Sequence, residues 1–582
     1  MKKEKWLLFC VAVCMLSGCQ AMDRESSLQT ESAARTEETQ TRDAEQAVDT
    51  AAAWQLAASE PFAPYPETVT YTLGKMTGAD NSSMPQGDTY KNNAYTRYLK
   101  KTLNVQNQDV FEARDEQYVT NVEMCIATGN LPDVMVINDQ EVLKRLVSQD
   151  LIEDLTDAFA SCTSSRIRSM YASYGDTVLE NASFDGRLMA LPETNIAEGP
   201  NLLWLRRDWM DKLGLDAPKT LDDAVAVIRA FLAEDPGNNG AGETIGLICA
   251  PELAGGNGYS AEYMTDIIFA CSGAYPKQWI AGEDGLAVYG SVQPQTKEAL
   301  IRLHDLYEEG VLDRSFLLRS TNNLIELIVD GKCGSFFGPW WAPNNPLMEA
   351  VKSDPSAVWE PFLIATDPDG KTSYHSQNPS YKYVVVRKGY EHPEIVFKIA
   401  SVIFDRIRFE ESDPKEFVDY YQKNVDPTAR PLPINLDYRD ALKECYRSIC
   451  GALDGTIPVE SLEMLEQSYY EYCRAYLEHP EAASSEEWAA YASRIQACAL
   501  IGSETTREVK SLFFGTTATM SDIWWRLEDL EEETFLKIVT GEEDADAFDR
   551  FVEQWCRDGG EVITKEVRES LAGSRLGSRH AD

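Results

Sequence analysis

The sequence predicts an α/β protein built as two large lobes or several domains. Two observations carry that prediction. Short apolar strand patterns alternate with helical patterns of ten or more residues, which implies parallel sheets layered with helices. About 520 residues follow a polar N-terminal stretch, more than one ordinary core encloses.

Residues 1–18 combine Lys2, Lys3 and Lys5, an apolar run from Trp6 to Leu16, and small residues before Cys19. A membrane-spanning helix needs roughly 20 apolar residues, so this shorter run fits the core of a removable export signal. The tetrapeptide Leu16-Ser17-Gly18-Cys19 resembles the bacterial lipobox, which implies that Cys19 is lipidated and becomes the first mature residue. Several acyl chains, each worth ~0.8 kcal/mol per buried methylene, give a stable membrane anchor. Residues 19–60 are rich in Glu, Thr, Ser, Gln and Ala and bury too little surface to offset chain entropy. They read as a disordered tether with a reach of roughly 35 Å.

Beyond it, "TVTYTL" alternates Val69, Tyr71 and Leu73 with threonines, as a half-buried strand does. In "YVTNVEMCIATGNLPDVMVIN", Val119, Val122 and Ile126 recur at helical spacing, Gly129 stops the helix, and Val134 to Ile137 form a buried strand. "TLDDAVAVIRAFLAEDP" starts with a Thr220–Asp223 cap, carries an apolar stripe through Ala224, Val227, Ile228, Phe231 and Leu232, and stops at Pro236. "KEALIRLHDLYEEG" repeats the form with Leu300, Leu303, Leu306 and Tyr307 before Gly310. From about residue 410 helical patterns dominate, as in "FDRFVEQWCRDGG" with Phe548, Phe551, Val552 and Trp555.

The formal charge of −41, from 95 acidic and 54 basic residues, repels phosphate backbones and anionic surfaces and argues against nucleic acid as a partner. Of thirteen cysteines, ten lie between Cys125 and Cys556 without a C-x-x-C or a close Cys/His cluster, so neither a zinc site nor a redox motif is indicated.

The segments "GNLPDVMVIN", "DGRLMALPETN", "LLWLRRDWMDKLGLDAPKTLDDAV", "EDGLAVYGSVQPQTKEALIRLHDLYEEGVLD", "DGKCGSFFGPWW", "YKYVVVRKGYEHPEIVFKIAS" and "FFGTTATMSDIWWRLEDLEEETFLKIVTGE" occur in that order. Together they resemble the landmarks of extracellular solute-binding proteins of family 1, in the long lipoprotein branch associated with carbohydrate ABC importers. The resemblance implies a class II periplasmic-binding-protein fold: two α/β lobes joined by a multi-strand hinge that closes on ligand. It places lobe 1 at 61–194 and 361–410, lobe 2 at 195–360 and 411–570, and a flexible tail at 571–582. Hinge crossings are expected at "LMALPETN" and around "VWEPFLIATD". The implied function is capture of a carbohydrate, a neutral oligosaccharide, at the extracytoplasmic face by a monomeric protein that delivers it to ABC permease subunits without chemistry. A sensor feeding a membrane kinase and a secreted glycoside hydrolase are the alternatives.

Sugar pockets pair aromatic faces with a few placed polar groups. "GPWWAPNN" offers Trp340 and then Trp341, and the family's G-P-W segment lines the cleft wall. Alternation in "LLWLRRDW" puts Trp204 and Arg206 on one strand face at the expected cleft edge, whereas Trp209 is expected in the core. Asn195 follows the first hinge crossing, and Asp139 follows the strand "VMVIN", where strand ends meet the ligand crevice in open α/β sheets. Tyr374, His375 and Gln377 lie in a polar loop facing the same cleft. No cofactor is required. "EDPGNNGAGETIGL" resembles the calcium loop of long family members, which would set Asp235, Asn239, the Ala241 carbonyl and Glu243 around the ion; Gly237 stands where a further side-chain oxygen is expected.

Overall fold

The computed structural model of the chain describes residues 50–78, 84–196, 199–255, 262–411, 413–423 and 425–577. The export signal, Cys19, most of the expected tether and the end of the tail lie outside the described residues. Residues 50–57 are helical where coil was expected, because this alanine-rich stretch has no glycine or proline to break a turn.

In chain order the strands that matter are β1 (Val69–Met76), β2 (Val105–Ala113), β3 (Val134–Ile137), β4 (Leu191–Pro192), β5 (Leu202–Arg206), β6 (Ile245–Ile248), β7 (Cys333–Gly338), β8 (Trp359–Phe362), β9 (Thr372–His375), β10 (Tyr383–Val386) and β11 (Thr506–Val509). The helices used below are α1 (Ala94–Leu103), α2 (Gln140–Ser148), α3 (Thr177–Glu180), α4 (Lys415–Gln422), α5 (Ala518–Thr540) and α6 (Glu561–Gly577).

The first lobe is built on a sheet of order β2-β1-β3-β10-β4 and the second on a sheet of order β8-β5-β7-β6. Neither is wholly parallel. β1 runs parallel to β2 and β3, but β10 is antiparallel to β3 and β4, and β5 is antiparallel to β7 and β8. The antiparallel partners are strands by which the chain enters a lobe from the other one, so they arrive without a crossover helix.

Local signals behave as the residues require. Thr220 and Asp223 form the capping box of helix Leu221–Glu234. Helix Asp115–Thr128 ends at Gly129, whose φ of 68° lets its N–H reach the Cys125 and Ile126 carbonyls. Val119 is 41 % exposed, contrary to the expected stripe; Tyr118 takes the inward position and its hydroxyl bonds the Gly74 and Val136 carbonyls. In the second lobe, Leu203 and Leu205 pack into one apolar layer and Leu202 and Trp204 into the other. β5 is therefore buried on both faces, as is usual where helices cover a sheet from each side.

Three chain segments cross between the lobes side by side. The Glu193 N–H donates to the Lys382 carbonyl and the Asn195 N–H to the Pro379 carbonyl, both at 2.8 Å. On the other side the Thr194 N–H donates to the Asn435 carbonyl and the Asp437 N–H to the Thr194 hydroxyl, again at 2.8 Å. This three-stranded strip is the hinge. The first expected crossing, 188–195, coincides with it. The second is displaced: β8 pairs with β5 inside the second lobe, because Trp359 and Phe362 are buried there, and the chain returns only at 379–383.

The expected boundary at 411 also moves. α4 packs on α1 of the first lobe, with Tyr95 and Phe417 rings 5.4 Å apart and the Tyr420 hydroxyl accepting from the Ala94 N–H. The Asn93 side chain donates to the Ala429 carbonyl, and buried Lys75 donates to the Thr428 and Arg430 carbonyls. Residues 415–430 thus complete the first lobe, and the third crossing follows them. Helices from 441 onward, α5 and α6 among them, join the second lobe.

Candidate ligand-binding cleft

At the hinge, β9 and β11 pair in parallel and bring Tyr374 opposite Glu508. Past their ends Ser511 is pinned from two sides: its N–H donates to the Ser376 hydroxyl at 2.8 Å and its hydroxyl to the Gln278 side chain at 2.7 Å. The loop 512–517 then runs along the interlobe face into α5, whose N-terminus is capped by Thr517. Opposite stand Tyr174 and α3 of the first lobe.

These elements enclose a hinge pocket of about 280 Å³. Its apolar faces are Tyr174, Tyr374 and Phe514; its polar groups include Asn195, Arg439 and Lys510. Arg439 is held by Glu508 at 3.1 Å, and its backbone N–H donates to Ser173 of the first lobe. Burial, then the charge of Glu508, pushes the Tyr374 phenol up to about 12, so the hydroxyl stays a donor. Asn195 is 4 % exposed; its amide nitrogen donates to the Gln377 side chain and the Asn378 carbonyl at 3.1 Å, while its Oδ1 has no partner. A buried lone acceptor is costly until a partner completes it.

A second compartment of about 720 Å³ adjoins the first and shares Thr177, Leu512 and Phe514 with it. At its rim the lobes touch. Lys144 Nζ on α2 donates to the Thr516 carbonyl at 3.0 Å, and the Ser521 hydroxyl on α5 donates to Glu141 at 3.0 Å. Burial opposes ionisation of Glu141, but the hydrogen bonds from Lys144 and Ser521 hold it below the usual carboxylate range. Beside the hinge pocket, His375 Nε2 lies 3.3 Å from Asp266; burial disfavours the charged imidazole, yet Asp266 outweighs it and raises the pKa.

The expected contact residues separate into two groups. Asn195, Tyr374 and Gln377 line the hinge pocket. Asp139 sits at the carboxyl end of β3 but caps α2, accepting from the Glu141 N–H at 2.7 Å, and lines neither compartment. Trp204 is fully buried with its indole donating to the Pro339 carbonyl, because both faces of its sheet are covered. Arg206 turns into a bidentate pair with Asp208, both contacts 2.8 Å, above the Trp209 ring. Trp340 is 7 % exposed in the second-lobe core with the Arg494 guanidinium 4.5 Å from its ring centre, and Trp341 packs half-buried against the same core. Trp204, Arg206 and Trp340 thus lie in the lobe interior and not in the cleft, and Trp341 lines neither compartment. Sequence reasoning did not single out Tyr174, Arg439 and the loop 512–517. The loop had a signal: two phenylalanines and a Gly-Thr-Thr run ahead of a helix cap expose aromatic rings beside backbone donors.

The loop 235–244 does not fit a calcium ion. Asp235 already accepts from the Asn239 and Gly240 N–H groups and from the Thr244 hydroxyl at 2.6 to 3.0 Å, so both its oxygens are engaged inside the loop. Asn239 spends its amide nitrogen on Thr244 and the Gly331 carbonyl. A Cβ on Gly237 would stand 2.6 Å from the Trp209 ring, so no side chain can supply the missing oxygen. Among the described residues no group of three or more His, Cys, Asp or Glu is arranged to hold a metal.

The family described as bacterial extracellular solute-binding protein matches residues 81–404. The chain belongs to that family. Among curated proteins it is similar to the Polygalacturonan/rhamnogalacturonan-binding protein YtcQ of Bacillus subtilis, 23 % identical over 77 % of this chain and 82 % of that one. It is also similar to Lipoprotein LipO of the same organism, 24 % identical over 38 % of this chain and 41 % of the relative, less than half its length. The substrate-binding protein FusA of a Streptococcus pneumoniae fructooligosaccharide ABC transporter is 30 % identical over 25 % of this chain and 26 % of its own. A solved structure of a FusA EF-hand mutant with fructo-nystose superposes over 88 % of this chain and 100 % of its own, with a TM-score of 0.60 at 15 % identity. The alginate-binding protein AlgQ2 without calcium covers 87 % and 98 %, with a TM-score of 0.57 at 14 % identity. At such identities the superpositions establish the fold, the two-lobed architecture of solute-binding proteins.

Proposed function

We propose that this protein is an extracytoplasmic carbohydrate receptor, anchored through lipid on Cys19, that captures a neutral oligosaccharide between its lobes and passes it to an ABC permease unaltered. The observation that carries the reading is the hinge pocket. It lies where three crossing segments meet, and it combines three aromatic faces with an orphaned amide acceptor and fixed donors. Pyranose and furanose rings present apolar C–H faces and hydroxyl edges, which match such a lining. Ligand that touches both lobes only when they are closed shifts the population toward closure, and a permease can then distinguish loaded from empty receptor. The similarity to polygalacturonan/rhamnogalacturonan-binding YtcQ and to FusA of a fructooligosaccharide transporter supports a sugar ligand.

The test is isothermal titration of the purified full chain with gluco-, fructo-, xylo-, manno- and galacto-oligosaccharides, with mass spectrometry of the ligand afterwards. The reading predicts saturable binding of one class and recovery of the intact sugar. Shortened products would make the protein a hydrolase, and silence toward every class would remove a neutral oligosaccharide as the ligand.

A further inference from the structure

One wall of the hinge pocket, Lys510 to Leu512, hangs on the second-lobe segment 277–279, which lies outside the pocket lining. The Leu512 N–H donates to the Trp279 carbonyl and the Ser511 hydroxyl to the Gln278 side chain, both at 2.7 Å. The Gln278 amide nitrogen turns the other way, to the Gly255 carbonyl at 3.5 Å, which aims the amide oxygen at Ser511.

Segment 277–279 is itself held from behind. Lys277 has a φ of 60°, a left-handed conformation uncommon for a residue with a side chain. Its N–H donates to the Ser291 hydroxyl at 2.6 Å, and the Gly290 N–H donates to the Gln278 carbonyl at 2.7 Å. Only glycine permits this approach, since a Cβ at 290 would stand 1.8 Å from the Tyr275 carbonyl oxygen. Ser291 in turn donates to one oxygen of Glu531 at 2.8 Å, and the Tyr289 hydroxyl donates to the other at 3.0 Å. Gln278, Ser291 and Glu531 are each at most 1 % exposed.

We propose that Gln278, Ser291 and Glu531 are positioning residues for ligand capture: their hydrogen bonds run from the second-lobe core to the hinge-pocket wall and hold Ser511 and Leu512 where a ligand meets them. This rests on the reading of the hinge pocket as the ligand site. Glu531 is an expensive residue for a core. Burial pushes its carboxyl up to about 7, against the pull of Lys277 and the two hydroxyls. What the carboxylate adds is direction. An ionised acceptor has no proton of its own, so Ser291 must donate toward it, which leaves the Ser291 lone pair for the Lys277 N–H and fixes the backbone that carries Gln278.

Hydrogen exchange of the ligand-free full chain, read by mass spectrometry at a pH above the Glu531 titration, tests the relay. Exchange across residues 510–515 should be at least tenfold faster in Gln278→Met and in Ser291→Ala than in wild type. Glu531→Met should match them, whereas Glu531→Gln, whose amide oxygen still accepts from Ser291, should restore most of the protection. Tyr289→Phe removes a hydroxyl from the same carboxylate on the side away from the pocket, so it should lower the melting temperature and leave that exchange unchanged. Titration with tetrasaccharides of the gluco, fructo, xylo, manno and galacto series gives the second readout: the one that wild type binds should be held at least tenfold more weakly by Gln278→Met and Ser291→Ala, and within twofold of wild type by Tyr289→Phe. Unchanged exchange or affinity in the two folded variants, or equal losses in Tyr289→Phe, overturns the relay and leaves the receptor reading standing. If wild type binds none of the tetrasaccharides, the neutral-oligosaccharide reading falls, and the exchange comparison decides the relay.

Discussion

His375 stands at the junction of β9 with the cleft, and its imidazole is held by Asp266 against the desolvation that burial imposes. Its folded pKa lies above the unfolded value of about 6.5. A raised pKa means that the charged pair's contribution to stability is complete below about pH 6.5 and is lost as pH rises through the folded value. The melting temperature of wild type should therefore fall across that interval relative to His375→Gln, which cannot titrate; parallel profiles would show that the pair contributes nothing. At this scale the sequence was legible in part. Asn195, Tyr374 and Gln377 could be placed because they follow the hinge or lie in a polar loop. Trp204, Arg206 and Trp340 could not, because alternation reports two faces of a strand but not whether helices cover both.

Among elements, the apolar stripes of helices Leu221–Glu234 and Pro294–Glu308 and the capping box at Thr220 were readable from local sequence alone. The loop 235–244 shows the limit of spacing: it keeps the residues of a calcium loop but closes on itself through Asp235, Asn239 and Thr244. α4 could not be assigned to a lobe, since its amphipathic face fits either until long-range contacts such as Tyr95 with Phe417 are known. Trp340 now belongs to the seam between β7 and the helices near 485–501, where Arg494 covers its ring. Trp340→Ala should cost about 3–5 kcal/mol of stability, by analogy with other large-to-small core changes, while the surviving folded protein keeps its ligand affinity. Thermal denaturation with titration checks both. An unchanged melting temperature with weakened binding would return the indole to the cleft.

The whole molecule follows from connectivity. Three crossings hydrogen-bonded side by side make a strip that can bend without parting the lobes, while each half is buried around its own sheet, at Tyr71, Val134 and Val136 in one and at Leu203 and Trp204 in the other. Lys144 with Thr516 and Ser521 with Glu141 join the lobes at the far rim. The fold was legible as two α/β lobes because ordered family landmarks span the chain; the return point and the third crossing were not, because they depend on which edge each strand finds. Small-angle scattering of the full chain, with and without the oligosaccharide that titration identifies, tests the central claim most directly. The account predicts a smaller radius of gyration in the loaded protein and recovery of the sugar intact. An unchanged radius at saturating ligand would contradict it.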